Sequence, residues 1–180
     1  MDEPAVSFNV AAFDALTGLP NRSLFADRLQ QLLAMSSRSG RRFAIHMCDL
    51  DGLASIRERA GDAGTNTVLK AVSERFVAAL RGSDTVARTG GGEFIALQPE
   101  LDDEEDARDM AERLVRALYA PVVAGGESYQ IGVTIGIAVF PADGETGPVL
   151  LAAAERALRR AKANTSGGVV FAQSNAASSA

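Results

Sequence analysis

The feature that most constrains the fold is a run of three glycines between two extended segments. Gly90, Gly91 and Gly92 separate Thr85–Arg88 from Glu93–Leu97, in the stretch RTGGGEF. Glycine adopts positive φ without steric cost, so it is favoured where the chain must reverse tightly. Two extended runs joined by such a turn are typical of a β-hairpin. The pattern therefore predicts a hairpin with the glycines at its tip.

Apolar residues at helical or strand spacing predict the other elements. Before the hairpin, they are a helix from Pro20–Asn21 to about Met35, a strand over residues 43–51, a helical stretch to about Ala60, a turn over Gly61–Gly64 and a long helix closed by Gly82. After the hairpin, the chain is predicted to form a helix capped by Asp102 or Asp103 and, following a turn at Gly125–Gly126, one long strand over residues 129–140. A helix over residues 147–163 and a strand over residues 169–171 complete the prediction. Helices interleaved with a mixed sheet predict an α/β (α+β) fold, a two-layer sandwich of the ferredoxin-like type, with the hairpin beside the first strand.

Composition narrows the environment and the partners. The chain has 18 Lys and Arg against 23 Asp and Glu, which argues against nucleic-acid binding because a basic stripe is missing. The single cysteine, Cys48, fits a reducing compartment. The absence of a long apolar run or a signal-type start predicts a cytoplasmic chain without a membrane span. His46 shares a strand face with Cys48, which predicts that it is packed or hydrogen-bonded.

Two acids stand where the first predicted strand ends. Asp49 and Asp51 follow the apolar run FAIHMC, and side chains at i and i+2 share one face of a strand. Carboxylate oxygens are ligands that Mg²⁺ prefers, and such ions accompany phosphoryl transfer. Acids at strand ends are also common as solvated caps, so the spacing alone leaves both interpretations open.

Five motifs in order give the chain a family resemblance: FDALTGLPNRSLF, DLD, RTGGGEF, VTIGIAVFPADG and AERALRRAK. Together they resemble the GGDEF family, the diguanylate cyclases that condense two GTP into cyclic di-GMP. The resemblance implies a nucleotidyl-cyclase palm-like sandwich whose hairpin carries the GGGEF motif. It covers residues 13–172, with residues 1–12 as a lead-in and residues 173–180 as a disordered tail or the start of a linker.

The resemblance implies a metal site that this chain supplies only in part. Asp49 and the carbonyl of Leu50 match metal-site positions and Asp51 stands beside them, whereas the third hairpin position, an acid in the family, is Gly92. Glu93 and Lys162 match residual catalytic positions. If GTP binds, the resemblance implies Mg²⁺ with it.

The implied nucleotide site is also changed. Gly90, Gly91, Gly92 and Asn66 fall at nucleotide-binding positions, but Asn66 stands where the family has a base-reading Asp. Four more positions differ from the family: this chain has Ala54 where the family has a phosphate-binding Lys, Arg57 where it has a base-reading Asn, Asp62 where it has a His and Thr165–Gly167 where it has Gly-Arg-Asn. A site built to hydrogen-bond a base discriminates poorly once its partner groups change. We therefore expect little or no cyclase activity.

The chain retains a second motif of the family, RxxD. Arg81-Gly-Ser-Asp84 precedes the hairpin glycines at the spacing of the family's RxxD inhibitory site for cyclic di-GMP, and Arg113 matches a further arginine of that pocket. A guanidinium fork suits guanine O6/N7 or phosphate oxygens. The alternative is structural, with Arg81 facing a helix dipole and Asp84 capping a strand.

Three functions remain open at this point. The first is a catalytically degenerate GGDEF domain that acts as a cyclic di-GMP receptor. The second is a weakly active cyclase in which Asp49, Asp51 and Glu93 still hold Mg²⁺. The third is a GTP-binding or scaffold module that regulates an attached C-terminal EAL phosphodiesterase domain, since GLPNR resembles the variant common in such tandem proteins; a homodimer is a further expectation.

Overall fold

A computed structural model describes residues 10–164 and 168–172. The helices are α1 (Arg22–Ser39), α2 (Leu53–Ala79), α3 (Glu104–Ala117) and α4 (Gly147–Asn164), after a short 3₁₀ turn at Val10–Ala12. The strands are β1 (Arg42–Asp51), β2 (Thr85–Gly90), β3 (Glu93–Leu101), β4 (Val122–Ala124), β5 (Glu127–Tyr129), β6 (Gly132–Phe140) and β7 (Val169–Phe171). The predicted tail at residues 173–180, the lead-in up to residue 9 and residues 165–167 lie outside the described residues.

A five-stranded mixed sheet forms the centre of the domain. Its order is β2-β3-β1-β6-β7, and every neighbouring pair is antiparallel except β6 with β7. Helices α2 and α3 cover one face and helices α1 and α4 cover the other. The predicted mixed sheet flanked by helices is confirmed, and so is the hairpin of β2 and β3 beside β1.

Strand alternation divides β1 between the two faces. Phe43 and Ile45 pack towards α1 and α4, whereas Ala44 and Cys48 pack towards α2 and α3. Because the side-chain period of a strand is two, Asp49 belongs to the first face and His46 to the second. Two separate sets of polar residues are thus presented by a single strand.

Two predicted boundaries on the α2 side are wrong. The predicted break between two helical segments is present at Gly61, where α2 kinks (φ 66°, ψ −169°), but it does not extend to Gly64, which is already helical. Helix α2 ends with Leu80 in an extended conformation, so Gly82 is not its closing residue. A single glycine absorbs the kink that the sequence pattern suggested would need several residues.

The long strand predicted over residues 129–140 is also wrong. It divides into β5 and β6, and β5 pairs with β4 in a separate two-stranded sheet. Gly125 and Gly126 form the connecting turn with φ of 59° and 82°. The apolar pattern continues through the break because Tyr129 and Ile131 are both buried in the α2–α3 core.

The helix N-termini agree with their sequence signals. Asn21 caps α1 by accepting from the Leu24 amide, and Asp103 and Asp106 form a reciprocal capping box at α3. Within the described residues, no helix is both long and apolar enough to cross a membrane.

Candidate functional site

The hairpin tip lies against the end of β1. The Leu50 amide donates to the Gly92 carbonyl at 3.0 Å, and Asp49 is the register partner of Glu93 on β3 and of Thr134 on β6. Register partners on neighbouring strands share a face of the sheet. The sheet therefore places Asp49 and Glu93 side by side, as the sequence predicted for the strand and the hairpin.

An ion pair connects the hairpin to a residue near the start of the domain. Arg88 Nη1 donates to both carboxylate oxygens of Asp14, at 2.9 and 3.1 Å, while its Nε and Nη2 donate to the Gly91 carbonyl at 3.1 and 2.9 Å. Asp14 and Arg88 lie inside the motifs FDALTGLPNRSLF and RTGGGEF, but no local pattern predicts that they pair. Burial would raise the pKa of Asp14, but hydrogen bonds from Thr17 and Arg88 outweigh it and hold that pKa below its usual value.

Gly92 faces the β1 end without a side chain. A Cβ at this position would lie 3.0 Å from Leu53 Cδ2 and 3.3 Å from Leu50 Cβ. Leu50 and Leu53 belong to the α2–α3 core, so this direction is away from the face that carries Asp49. Gly92, where the resemblance implies a third metal ligand, therefore supplies no carboxylate, and the hairpin acid beside Asp49 is Glu93.

Asp49 already has a cationic partner. Its carboxylate forms an ion pair with Lys162 of α4, and 22% of the Asp49 side chain is exposed. Both residues line a cavity of about 640 Å³ between α1, α4 and the ends of β1 and β3, together with Glu93 and Thr89. The structure thus brings three predicted site residues, Asp49, Glu93 and Lys162, to one cavity.

The weakly predicted metal site is not assembled as a cage. Asp51 accepts from the Thr134 hydroxyl at 2.9 and 3.0 Å, and it does not line the cavity that Asp49 lines. Across residues 10–164 and 168–172, no group of three His, Cys, Asp or Glu side chains has the arrangement of a metal site. The residues present fit a pair of catalytic Mg²⁺ ions poorly, because divalent ions in phosphoryl-transfer sites are held by several oxygen ligands.

The RxxD turn is a compact exposed loop after α2. The Arg81 amide donates to Asp84 Oδ2 at 2.9 Å, and the Asp84 amide donates to the Arg81 carbonyl at 3.0 Å. Arg113 reaches the same end of α2 from α3, where its Nε donates to the Ala79 carbonyl at 3.1 Å. All three residues of the second predicted site therefore meet at one end of α2.

The comparison with known families decides the assignment. The family model described as "Diguanylate cyclase, GGDEF domain" matches residues 11–167.

The chain belongs to the GGDEF family.

Relatives with this domain agree in sequence and in fold. The bifunctional diguanylate cyclase/cyclic di-GMP phosphodiesterase MucR of Pseudomonas aeruginosa is 38% identical over 166 residues, which is 92% of this chain and 24% of MucR. Diguanylate cyclase TpbB of the same species is 35% identical over 175 residues, 97% of this chain and 40% of TpbB. A solved structure of a delta-N mutant of TpbB that comprises only the GGDEF domain superposes with a TM-score of 0.87 at 34% identity, covering 89% of this chain and 94% of that one. This chain spans less than half the length of both curated relatives.

The remaining predicted nucleotide-binding positions lie on α2 and at the hairpin tip. Asn66 is exposed on the outer surface of α2, and Arg57 forms an exposed ion pair with Asp62 at 3.7 Å. Gly90 and Gly91 take positive φ at the hairpin tip, with values of 144° and 49°. The hairpin glycines thus have the backbone geometry of a tight turn, and the side chains of Arg57 and Asn66 are accessible on α2.

Proposed function

We propose that this GGDEF domain is a cyclic di-GMP receptor that has lost most or all of its cyclase activity. The observation that carries the proposal is a contrast between the two sites. The RxxD turn is complete and exposed beside Arg113, whereas at the hairpin Gly92 supplies no carboxylate and only Glu93 lies beside Asp49.

The electrostatics of the hairpin site support the loss of catalysis. Lys162 neutralises Asp49 and Gly92 adds no negative charge, which leaves Glu93 as the hairpin carboxylate at this site, less charge than two divalent cations need. Removing one preorganised electrostatic group from an active site typically lowers the rate by about 10²–10³-fold. The altered base-reading positions Arg57 and Asn66 lower it further.

The chemistry of the RxxD turn supports ligand binding. The Arg81 guanidinium is exposed and forms no hydrogen bond or ion pair with any residue that the structure describes. Asp84 accepts one bond from its own turn, which leaves acceptor capacity on its carboxylate for a guanine N1–H and amino group. A shallow cavity of about 290 Å³ adjoins both residues. Arginine and a carboxylate together match the donor and acceptor edges of guanine.

Isothermal titration calorimetry with cyclic di-GMP tests the proposal. We expect binding by the wild-type domain and an affinity at least about tenfold weaker for Arg81→Ala, since charge-assisted hydrogen bonds contribute about 1.5–3 kcal/mol. Arg38→Ala removes the same charge from the distant end of α1 and should leave the affinity unchanged. Absence of binding by the wild type at micromolar ligand would refute the receptor role.

A weakly active cyclase is the second candidate, favoured by one observation. Asp49, Glu93 and Lys162 line a single cavity, so a residual site for GTP with Mg²⁺ remains geometrically available. Incubation of the domain with GTP and Mg²⁺, followed by nucleotide chromatography, decides between the two. Formation of cyclic di-GMP that disappears in Asp49→Ala would replace the receptor proposal with this one.

A regulatory or scaffold role within a longer protein is the third candidate. It is favoured by the small share of bifunctional MucR that this chain spans and by the GLPNR motif. The expected partner is a C-terminal EAL phosphodiesterase domain, with a homodimer as the expected assembly. Phosphodiesterase activity of the full gene product that changes when GTP is added at a fixed, saturating concentration of cyclic di-GMP would favour this candidate.

A further inference from the structure

A buried polar chain crosses the α2–α3 face of the sheet. His46 on β1 is fully buried, and its Nε2 lies 2.9 Å from Gln98 Oε1 on β3. Gln98 Nε2 in turn donates to the Asp106 carbonyl of α3 at 3.0 Å. Since the Gln98 amide nitrogen is the donor to α3, its oxygen accepts from His46. His46 therefore carries its proton on Nε2, and its Nδ1 is an acceptor.

Two polar atoms next to this chain lack hydrogen bonds. His46 Nδ1 and Arg113 Nη2 are both buried, and neither has a hydrogen-bond partner among the described residues. One is an acceptor and the other is a donor. Leaving either of them unsatisfied in a core is strongly unfavourable, so each requires a partner.

The helix geometry directs Arg113 towards His46. Asp106, Met110 and Arg113 recur on one face of α3, and Met110 is fully buried on the sheet. Long side chains in a helix lean towards its N-terminus, which aims the Arg113 guanidinium back along this face. Arg113 is also close enough that its charge acts on the His46 imidazole.

We propose that His46 is a positioning residue for Arg113: His46 Nδ1 accepts from a water that accepts from Arg113 Nη2, and this bridge holds the guanidinium in an inward position that cyclic di-GMP must displace. Only the displacement by cyclic di-GMP rests on the proposed receptor function; the bridge between His46 and Arg113 does not. The inward position is stabilised from both sides, because the Ala79 carbonyl at the end of α2 accepts from Arg113 Nε.

The displacement has a consequence for affinity. Two substitutions separate the two nitrogens of His46, since Gln places its amide near the Nε2 position and Asn near the Nδ1 position. His46→Gln keeps the contact with Gln98 and removes the acceptor for Arg113, so the inward position is weakened. We expect it to bind cyclic di-GMP about fivefold more tightly than the wild type, whereas His46→Asn should remain within about twofold of it.

Nitrogen-15 NMR gives a direct test, because His46 is the only histidine in the chain. The Nδ1 resonance should shift in Arg113→Met, which removes the donor, and stay in place in Arg116→Met, which removes an exposed arginine one turn along α3. Arg113→Lys repeats the test with a donor retained, should the methionine variant fail to fold. An Nδ1 resonance that is unchanged by both Arg113 substitutions would overturn the proposal.

Adding cyclic di-GMP to the wild-type domain separates this inference from the receptor function. The expected result is binding accompanied by a shift of Nδ1 in the same direction as in Arg113→Met. Binding without any shift keeps the receptor function and refutes the displacement of Arg113. If cyclic di-GMP does not bind, the receptor function fails, while the Arg113 variants still decide whether His46 holds this guanidinium.

Discussion

Arg88→Ala should destabilise the domain far more than the removal of a comparable surface arginine. Arg88 and Asp14 are joined at 2.9 Å, with only 11% and 19% of their side chains exposed. The substitution leaves a partly buried carboxylate without its cation and also removes both donors to the Gly91 carbonyl. The hairpin tip would then lose its connection to the start of the domain.

The magnitude follows from the burial of the pair. Breaking a fully buried ion pair by removing one partner costs about 3–5 kcal/mol. Residual exposure of Arg88 and Asp14 reduces this through solvent screening, so we expect a loss of about 2–3 kcal/mol in the free energy of unfolding. Glu155 and Arg159 supply the matched control: they also lie 2.9 Å apart, but 56% and 63% of their side chains are exposed. Arg159→Ala should cost about 0.3–0.5 kcal/mol.

Urea unfolding followed by circular dichroism measures both variants. The pH dependence gives a second signature, because the pKa of Asp14 is lowered in the folded domain. Stability from this pair is fully present above the ordinary Asp value of 3.8 and is lost as the pH falls through the lowered pKa. The difference between wild type and Arg88→Ala should therefore shrink in acid. Equal losses for Arg88→Ala and Arg159→Ala at neutral pH would refute the reasoning.

Three further substitutions probe the core and the hairpin. Burial lowers the pKa of His46 from 6.5 to about 4; the charge of Arg113 adds to this shift and the hydrogen bond to Gln98 opposes it. The unfolded chain therefore binds a proton that the folded domain does not, so the free energy of unfolding should fall by about 3 kcal/mol as the pH drops from 6.5 to 4. Urea unfolding of His46→Gln should lack that slope, and an identical slope in both proteins would contradict the assignment. Gly136→Ala should lower the free energy of unfolding by about 3 kcal/mol or more, because its Cβ would lie 2.3 Å from backbone atoms of Ala154 and Leu158. The control Gly82→Ala places its Cβ in open space, so its free energy of unfolding should stay within about 0.5 kcal/mol of the wild type. Gly92→Asp should lower the free energy of unfolding by about 1–3 kcal/mol, because Leu53 Cδ2 at 3.0 Å can move but Leu50 Cβ at 3.3 Å moves only with the backbone. Nucleotide chromatography should detect no GTP condensation by that variant, since Arg57 and Asn66 are unchanged; robust product would show that Gly92 alone blocks catalysis.

The elements that could be predicted from the sequence are those whose signals are local. Asn21 and Asp103 cap helices because their side chains reach amides three residues ahead. The hairpin followed from its glycines, and the burial of His46 followed from strand alternation. The caps and the hairpin depend on contacts within a few residues of the signal, and strand alternation identifies the face of His46 although its partner Gln98 lies 52 positions away.

The wrong predictions concern features that distant contacts decide. Tyr129 and Ile131 continue an apolar pattern through a break between two sheets, because both strands bury residues in the same core. Gly64 suggested a turn, yet helix α2 runs through it with the Gly64 backbone packed beside Ala60. The pair of Arg88 with Asp14 spans 74 positions, so no local pattern indicates it.

The two candidate sites use opposite faces of β1. Asp49 faces α1 and α4, whereas His46, three residues earlier on the same strand, faces α2 and α3. Since alternate residues of a strand point to opposite faces, a substitution of Asp49 should leave the packing around His46 intact. Gly92 differs, because a side chain there would meet Leu50 and Leu53, which belong to the α2–α3 core. We therefore expect the chemistry at Asp49 and the packing of the α2–α3 face to vary separately, and a substitution of Gly92 to affect that packing.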